Sequence, residues 1–179
     1  MDSTRTRPTS TSTTVTVSTA LRADAETVWR ALRSPQTFVH VAGAMARYPA
    51  AERRERPFRT GDVLQGWTFL FRVIPFSNHR LEVVEINDQT LTLETVEGGG
   101  LVRLWHHTIT VTPSPDGTCR YVDGIEIDAG PLTKLVVAYA NVFYRYRQRR
   151  WRHLARLLAD VERSRDGAPP AAGAATAAA

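Results

Sequence analysis

The chain has 179 residues, 42% of them hydrophobic, and a formal net charge of +5, the size of one ordinary domain able to bury a substantial core. Its single cysteine, Cys119, excludes an internal disulfide framework and a cysteine-based zinc site and points to a reducing, cytoplasmic setting. No apolar run approaches the roughly 20 residues of a spanning helix, the N-terminal stretch lacks the hydrophobic centre of a secretory signal, and the basicity is almost all arginine, Lys134 being the only lysine. With abundant alanine, that charge reads as compositional bias more than as a nucleic-acid signature.

Residues 1–13 form a polar Ser/Thr tail and residues 166–179 an Ala/Pro/Gly tail, neither with much that packs, so both read as disordered. The domain is expected between them, over residues 14–165. It begins with Val15, Val17, Thr19 and Leu21 alternating against polar neighbours, the period of a half-buried strand. Asp24 then caps a helix whose inward stripe is Val28, Trp29, Ala31 and Leu32. Ser34-Pro35 opens a second short helix, and Gly43 ends it.

From about Met45 to Ala129 the pattern is strand and turn throughout. Strands are expected at 62–73, 80–86, 90–96, 101–112 and 118–129, with turns at Pro75 to Asn78, Asn87-Asp88, Gly98 to Gly100 and Pro113 to Gly117. Connections that short make neighbouring strands antiparallel. Pro131 opens a last helix running to about Arg163, in which Leu132, Val136, Tyr139, Phe143, Tyr146, Leu154, Leu157 and Val161 recur at helical spacing.

This order resembles the START-like, or SRPBCC, superfamily, which includes polyketide cyclases, lipid-transfer domains and coenzyme-Q-binding proteins. The phrases that carry the resemblance are Ala23 to Trp29 after the first strand, Tyr121 to Gly130 at the last strand, and Phe143 to Arg147 with Arg150-Trp151 in the terminal helix. It implies an α+β helix-grip fold: a curved antiparallel sheet of six or seven strands wrapped around a long C-terminal helix, with two short helices after the first strand. It also implies a hydrophobic cavity between sheet and helix. No shared catalytic set comes with it.

Strand parity says what such a cavity would contain. Leu101, Arg103, Trp105, His107, Ile109 and Val111 share one face of their strand, and Tyr121, Asp123, Ile125 and Ile127 share one face of the next. Both sets are mostly apolar and are expected to point inward. A five-residue turn over Pro113–Gly117 would set His107 and Asp123 directly opposite each other. In an apolar pocket such a pair suits a general base with its orienting carboxylate, or else two wall residues satisfying one another. Trp67, Phe69 and Phe71 give an aromatic face suited to a planar or isoprenoid ligand, and Tyr139, Phe143 and Tyr146 close the opposite wall. Arg103, near its strand's start, is a candidate for attracting an acidic head group at the mouth, or an arginine emerging into solvent.

His40, His79 and His153 are scattered, and no His/Asp/Glu spacing suggests a metal; no cofactor is expected. Arg145, Arg149, Arg152 and Arg156 share a helix face. That stripe is either a solvated face or a docking surface for an anionic membrane or RNA. Three functions therefore stand open: a binder of a hydrophobic small molecule, a cyclase or dehydratase working through His107 and Asp123, and a macromolecule-docking module. The sequence leaves open whether the protein is a monomer or a homodimer.

Overall fold

The computed structural model describes residues 12–100 and 102–166; the two tails and Leu101 lie outside the described residues. The elements are β1 (Thr13–Leu21), α1 (Ala25–Leu32), α2 (Pro35–Ala42), β2 (Ala46–Arg47), α3 (Pro49–Glu52), β3 (Val63–Leu70), β4 (Ile74–Asn87), β5 (Thr92–Gly99), β6 (Val102–Pro113), β7 (Cys119–Asp128) and α4 (Thr133–Asp166). All seven strands pair antiparallel in the order β1-β7-β6-β5-β4-β3-β2. The sheet curls into a half-barrel and α4, of 34 residues and so about 51 Å long, lies in its grip. This is a helix-grip fold, with the antiparallel sheet, long terminal helix and two short helices after the first strand that were expected. No helix among the described residues is long and apolar enough to cross a membrane.

The two short helices form where expected, α1 with a side-chain cap and α2 without one at Ser34. Asp24 accepts a hydrogen bond from the Thr27 amide at 2.9 Å, and Val28, Trp29 and Leu32 are buried while Ala31 is only partly so. Gly43 ends α2 at φ +54°, and a Cβ there would collide with the Tyr146 hydroxyl and the Arg150 side chain. That hydroxyl is itself fixed, accepting from the Ala44 amide at 3.0 Å. We expect Gly43→Ala to lower stability by about 1–3 kcal/mol in urea unfolding, from strain at positive φ plus overpacking.

Two features between Met45 and Gly100 depart from the all-strand expectation. The one-turn helix α3 packs on β3, where Gly66 sits 3.8 Å from the Ala50 methyl measured from an added Cβ. The β3–β4 reversal falls at Phe71–Val73, with positive φ at Phe71 and Arg72, and not at Pro75–Asn78. Pro75 instead pairs with Phe69 inside β4. It is tolerated because β5 first meets β4 at Arg80, so the missing N–H removes no bond on that flank.

The interior is divided along α4. Around its C-terminal half, Leu21, Val28, Trp29, Val41, Ile109, Val111, Tyr121, Trp151 and Ala155 pack into one core. A second cluster of Val15, Ile125, Ile127, Ala140, Phe143 and Tyr144 joins the helix to β1 and β7. After its first residue, Thr133, the buried helix positions are Ala140, Phe143, Tyr144, Arg147, Gln148, Trp151 and Ala155. This stripe is rotated from the expected one: Leu132, Leu157 and Val161 are exposed, and Tyr146 is only half buried. The cause is that two polar residues, Arg147 and Gln148, occupy interior positions a hydrophobic pattern would not assign to them.

Candidate functional site

Where the packed core stops, the N-terminal half of α4 stands off the sheet over a chamber of about 310 Å³. Val136, Tyr139 and Phe143 form its helix wall, Phe69, Val102 and Trp105 part of its sheet wall, and Tyr48 its floor. The exposed side chains Phe76, Leu132 and Leu135 ring it, placing the mouth between the β3–β4 hairpin and the first turns of α4. Tyr139 stacks on Phe143 with ring centroids 5.8 Å apart, and burial pushes its phenol up to about 12. Trp105 donates to the Tyr144 hydroxyl at 3.3 Å.

Besides the hydroxyls of Thr68, Tyr48 and Tyr139, two polar side chains break the apolar lining, His79 and Glu97. The His79 Nε2 atom lies 2.9 Å from Glu97, and Thr95 donates to the other carboxylate oxygen at 3.1 Å. Burial pushes the Glu97 carboxyl up, but the His79 contact, the second imidazole of His107 and the Thr95 hydroxyl outweigh it and hold the group below the usual carboxylate range. Neither His79 nor Glu97 was singled out from the sequence. Parity carries the signal, since Glu97 continues the inward row of Leu93 and Thr95, and His79 that of Leu81 and Val83.

Glu97 also lines a narrow neck with Tyr48, Trp105, Phe143 and Arg147, and beyond it an inner pocket of about 40 Å³. His107 and Arg147 front this pocket among Phe38, Val83, Leu93 and Ile109. His107 is 3% exposed and Asp123 fully buried. Their strands pair with His107 opposite Ile125 and Asp123 opposite Ile109, because the hairpin closes at Pro113 and Cys119, one residue later on each strand than expected. The two residues are diagonal neighbours, still on one face, and His107 Nε2 sits 2.9 Å from Asp123 Oδ1. Asp123 further accepts from the Tyr121 hydroxyl at 3.2 Å and the Gln148 amide at 3.0 Å. Burial pushes its carboxyl up, but His107, Arg147 and Gln148 together hold it below the ordinary value.

Of the residues expected to line a cavity, Phe69, Trp105, Tyr139 and Phe143 line the chamber. Trp67 and Phe71 do not, being 56% and 53% exposed. The inner face of β3 is Leu64, Gly66 and Thr68, small enough to admit α3, so its aromatic face is the outer one. A register shift between Thr68 and Phe69 then turns Phe69 inward, and Phe71 falls in the reversal. Arg103 is exposed, because the irregularity between Glu97 and Gly99 gives the inward position to buried Val102. Tyr121 packs against Trp151, centroids 5.3 Å apart, within the closed core, and Tyr146 faces the end of α2 rather than the chamber. Arg145, Arg149, Arg152 and Arg156 are all exposed. No group of three or more metal-ligating side chains occurs among the described residues.

Comparison with known proteins gives a family and a fold. Residues 19–157 match a family described as a domain of unknown function, DUF8410. No curated protein matches. Truncated norcoclaurine synthase from Thalictrum flavum superimposes with a TM-score of 0.58 at 11% identity, covering 80% of this chain and 92% of that one. Protein Ms6760 from Mycobacterium smegmatis gives 0.62 at 12% identity, with 79% and 89% covered. DynU16, of the dynemicin biosynthetic locus, gives 0.55 at 15% identity over 78% of this chain and 46% of its own.

Proposed function

The chain belongs to the DUF8410 family, a domain of unknown function, and we propose that it binds a hydrophobic small molecule, such as a lipid, a polyketide-like aromatic or an isoprenoid, between sheet and α4. The observation that carries this reading is the chamber of about 310 Å³ with an almost wholly apolar lining and a mouth edged by exposed Phe76, Leu132 and Leu135. Pockets of that size and character are the common form of small-molecule sites. Norcoclaurine synthase, of the same fold, has been crystallised with dopamine and hydroxybenzaldehyde, which supports small-molecule binding in general terms.

Titration with the neutral fluorophore N-phenylnaphthylamine tests it. We expect saturable enhancement at one site per folded chain, and competition by material extracted from protein purified from its host. A native protein that gives no enhancement ends the proposal.

A cyclase or dehydratase using His107 and Asp123 is the second reading, favoured by the 2.9 Å contact and by the position of His107 on the inner pocket. Binding ranks above it because Asp123 is engaged by three side chains and fronts neither pocket, a pattern that suits a structural anchor.

A further inference from the structure

Arg147 is 5% exposed, on the third buried turn of α4, and its guanidinium has neither a hydrogen bond nor an ion pair among the described residues. Its Nε atom is buried without a partner. What surrounds it is aromatic: the guanidinium carbon lies 5.1 Å from the Tyr144 ring centre and 5.9 Å from that of Phe143. Burial works against the charged form, but the neighbouring Tyr121, Asp123 and Tyr144 reverse this, and the group is held more firmly protonated than an ordinary arginine. Asp123 does not pair with it directly, since both carboxylate oxygens already serve His107, Tyr121 and Gln148. Glu97 is likewise turned to His79 and Thr95. A buried cation without a direct counter-ion is costly to fold, and this one fronts both the neck and the inner pocket.

Resting on the binding reading above, we infer that the ligand carries a carboxylate, which passes the neck and pairs with the Arg147 guanidinium in the inner pocket while its apolar body fills the chamber. The planar fork of arginine matches a carboxylate through two parallel hydrogen bonds, and an inner pocket of about 40 Å³ suits a head of two or three heavy atoms. Glu97 lines the same neck and inner pocket, but its two carboxylate oxygens are engaged by His79 and Thr95, which leaves the Arg147 guanidinium as the unpaired cation there that can receive an anion. Three features thus specify one molecular class: an apolar body, a narrow neck and a terminal acid.

Calorimetric titration with naphthylacetate and its neutral amide, naphthylacetamide, tests the inference. The native protein is expected to prefer the acid by roughly ten- to hundredfold, the range of a hydrogen bond to a charged group. Arg147→Met removes the charge at similar length, and should bring the acid down to the amide while leaving the amide's affinity within about threefold. Arg147→Lys keeps the charge without the fork, and should retain part of the preference; it supplies the same reading if the methionine variant does not fold. Equal binding of acid and amide by the native protein overturns the inference and leaves the chamber reading standing. So does an acid preference that survives both substitutions. If neither compound binds and N-phenylnaphthylamine also fails, the chamber reading itself falls.

Discussion

Asp123→Ala should cost about 3–5 kcal/mol of stability, the range for removing one partner from a buried charged network. Three donors converge on this carboxylate, from His107, Tyr121 and Gln148, and each would be stranded where water cannot replace the lost acceptor. Arg147 would also lose a carboxylate that favours its charged form. For a domain of this size the expected fall in Tm is on the order of 10 °C, measurable by calorimetry or by urea unfolding. Asp123→Asn separates charge from shape, since its amide nitrogen must face at least one existing donor, and it should recover only part of the loss. The pH dependence has a definite sign. Because the folded carboxyl titrates below its ordinary value, its contribution is full above about pH 4 and disappears as pH falls through the folded value. The native protein should therefore lose stability more steeply than Asp123→Asn on acidification. Parallel acid-unfolding curves would show that Asp123 is not the anchor.

The second large effect is on binding. Val136 lines the chamber from α4, opposite the sheet, and is only partly buried, so Val136→Trp projects an indole into the void without displacing a packed core residue. We expect affinity for N-phenylnaphthylamine to fall on the order of a hundredfold, about 2.8 kcal/mol, with a melting temperature unchanged or slightly raised as apolar surface is covered. Unaltered affinity would place the probe elsewhere. Trp67→Ala serves as a contrast, since that side chain lies on the outer face and should leave binding unaffected.

Strand parity read the sheet correctly where strands are regular. On β6 and β7 it put Trp105, His107, Ile109, Asp123 and Ile125 inside, and the His107–Asp123 contact survived a register two residues away from the expected one because a shift of that size preserves the face. On β3 the same reasoning failed. It took the more aromatic face as the inner one, but the inner face must leave room for α3, a single turn too short to leave a periodic trace. Bulges then moved Phe69 inward and Arg103 outward, and a bulge is a backbone event that side-chain alternation does not encode. The terminal helix was legible in extent but not in rotation. Burying Arg147 and Gln148 breaks the polar–apolar code by which rotation is read, and one of the two, Arg147, fronts the inner pocket. His79 and Glu97 were missed for a simpler reason: alternation along β4 and β5 pointed to them, but the pairing of those strands, which brings the two together, depends on a β-bulge between Val83 and Glu85.

The uneven filling along α4 separates two duties that a uniformly packed helix would have to share. Trp151 and Ala155 seat the C-terminal turns in the closed core, whereas Val136 and Tyr139 in the N-terminal half are only partly buried and face the chamber. A change of side chain on the chamber-facing turns, such as Val136→Trp, can therefore alter the void without drawing on the distant contacts that keep the chain folded.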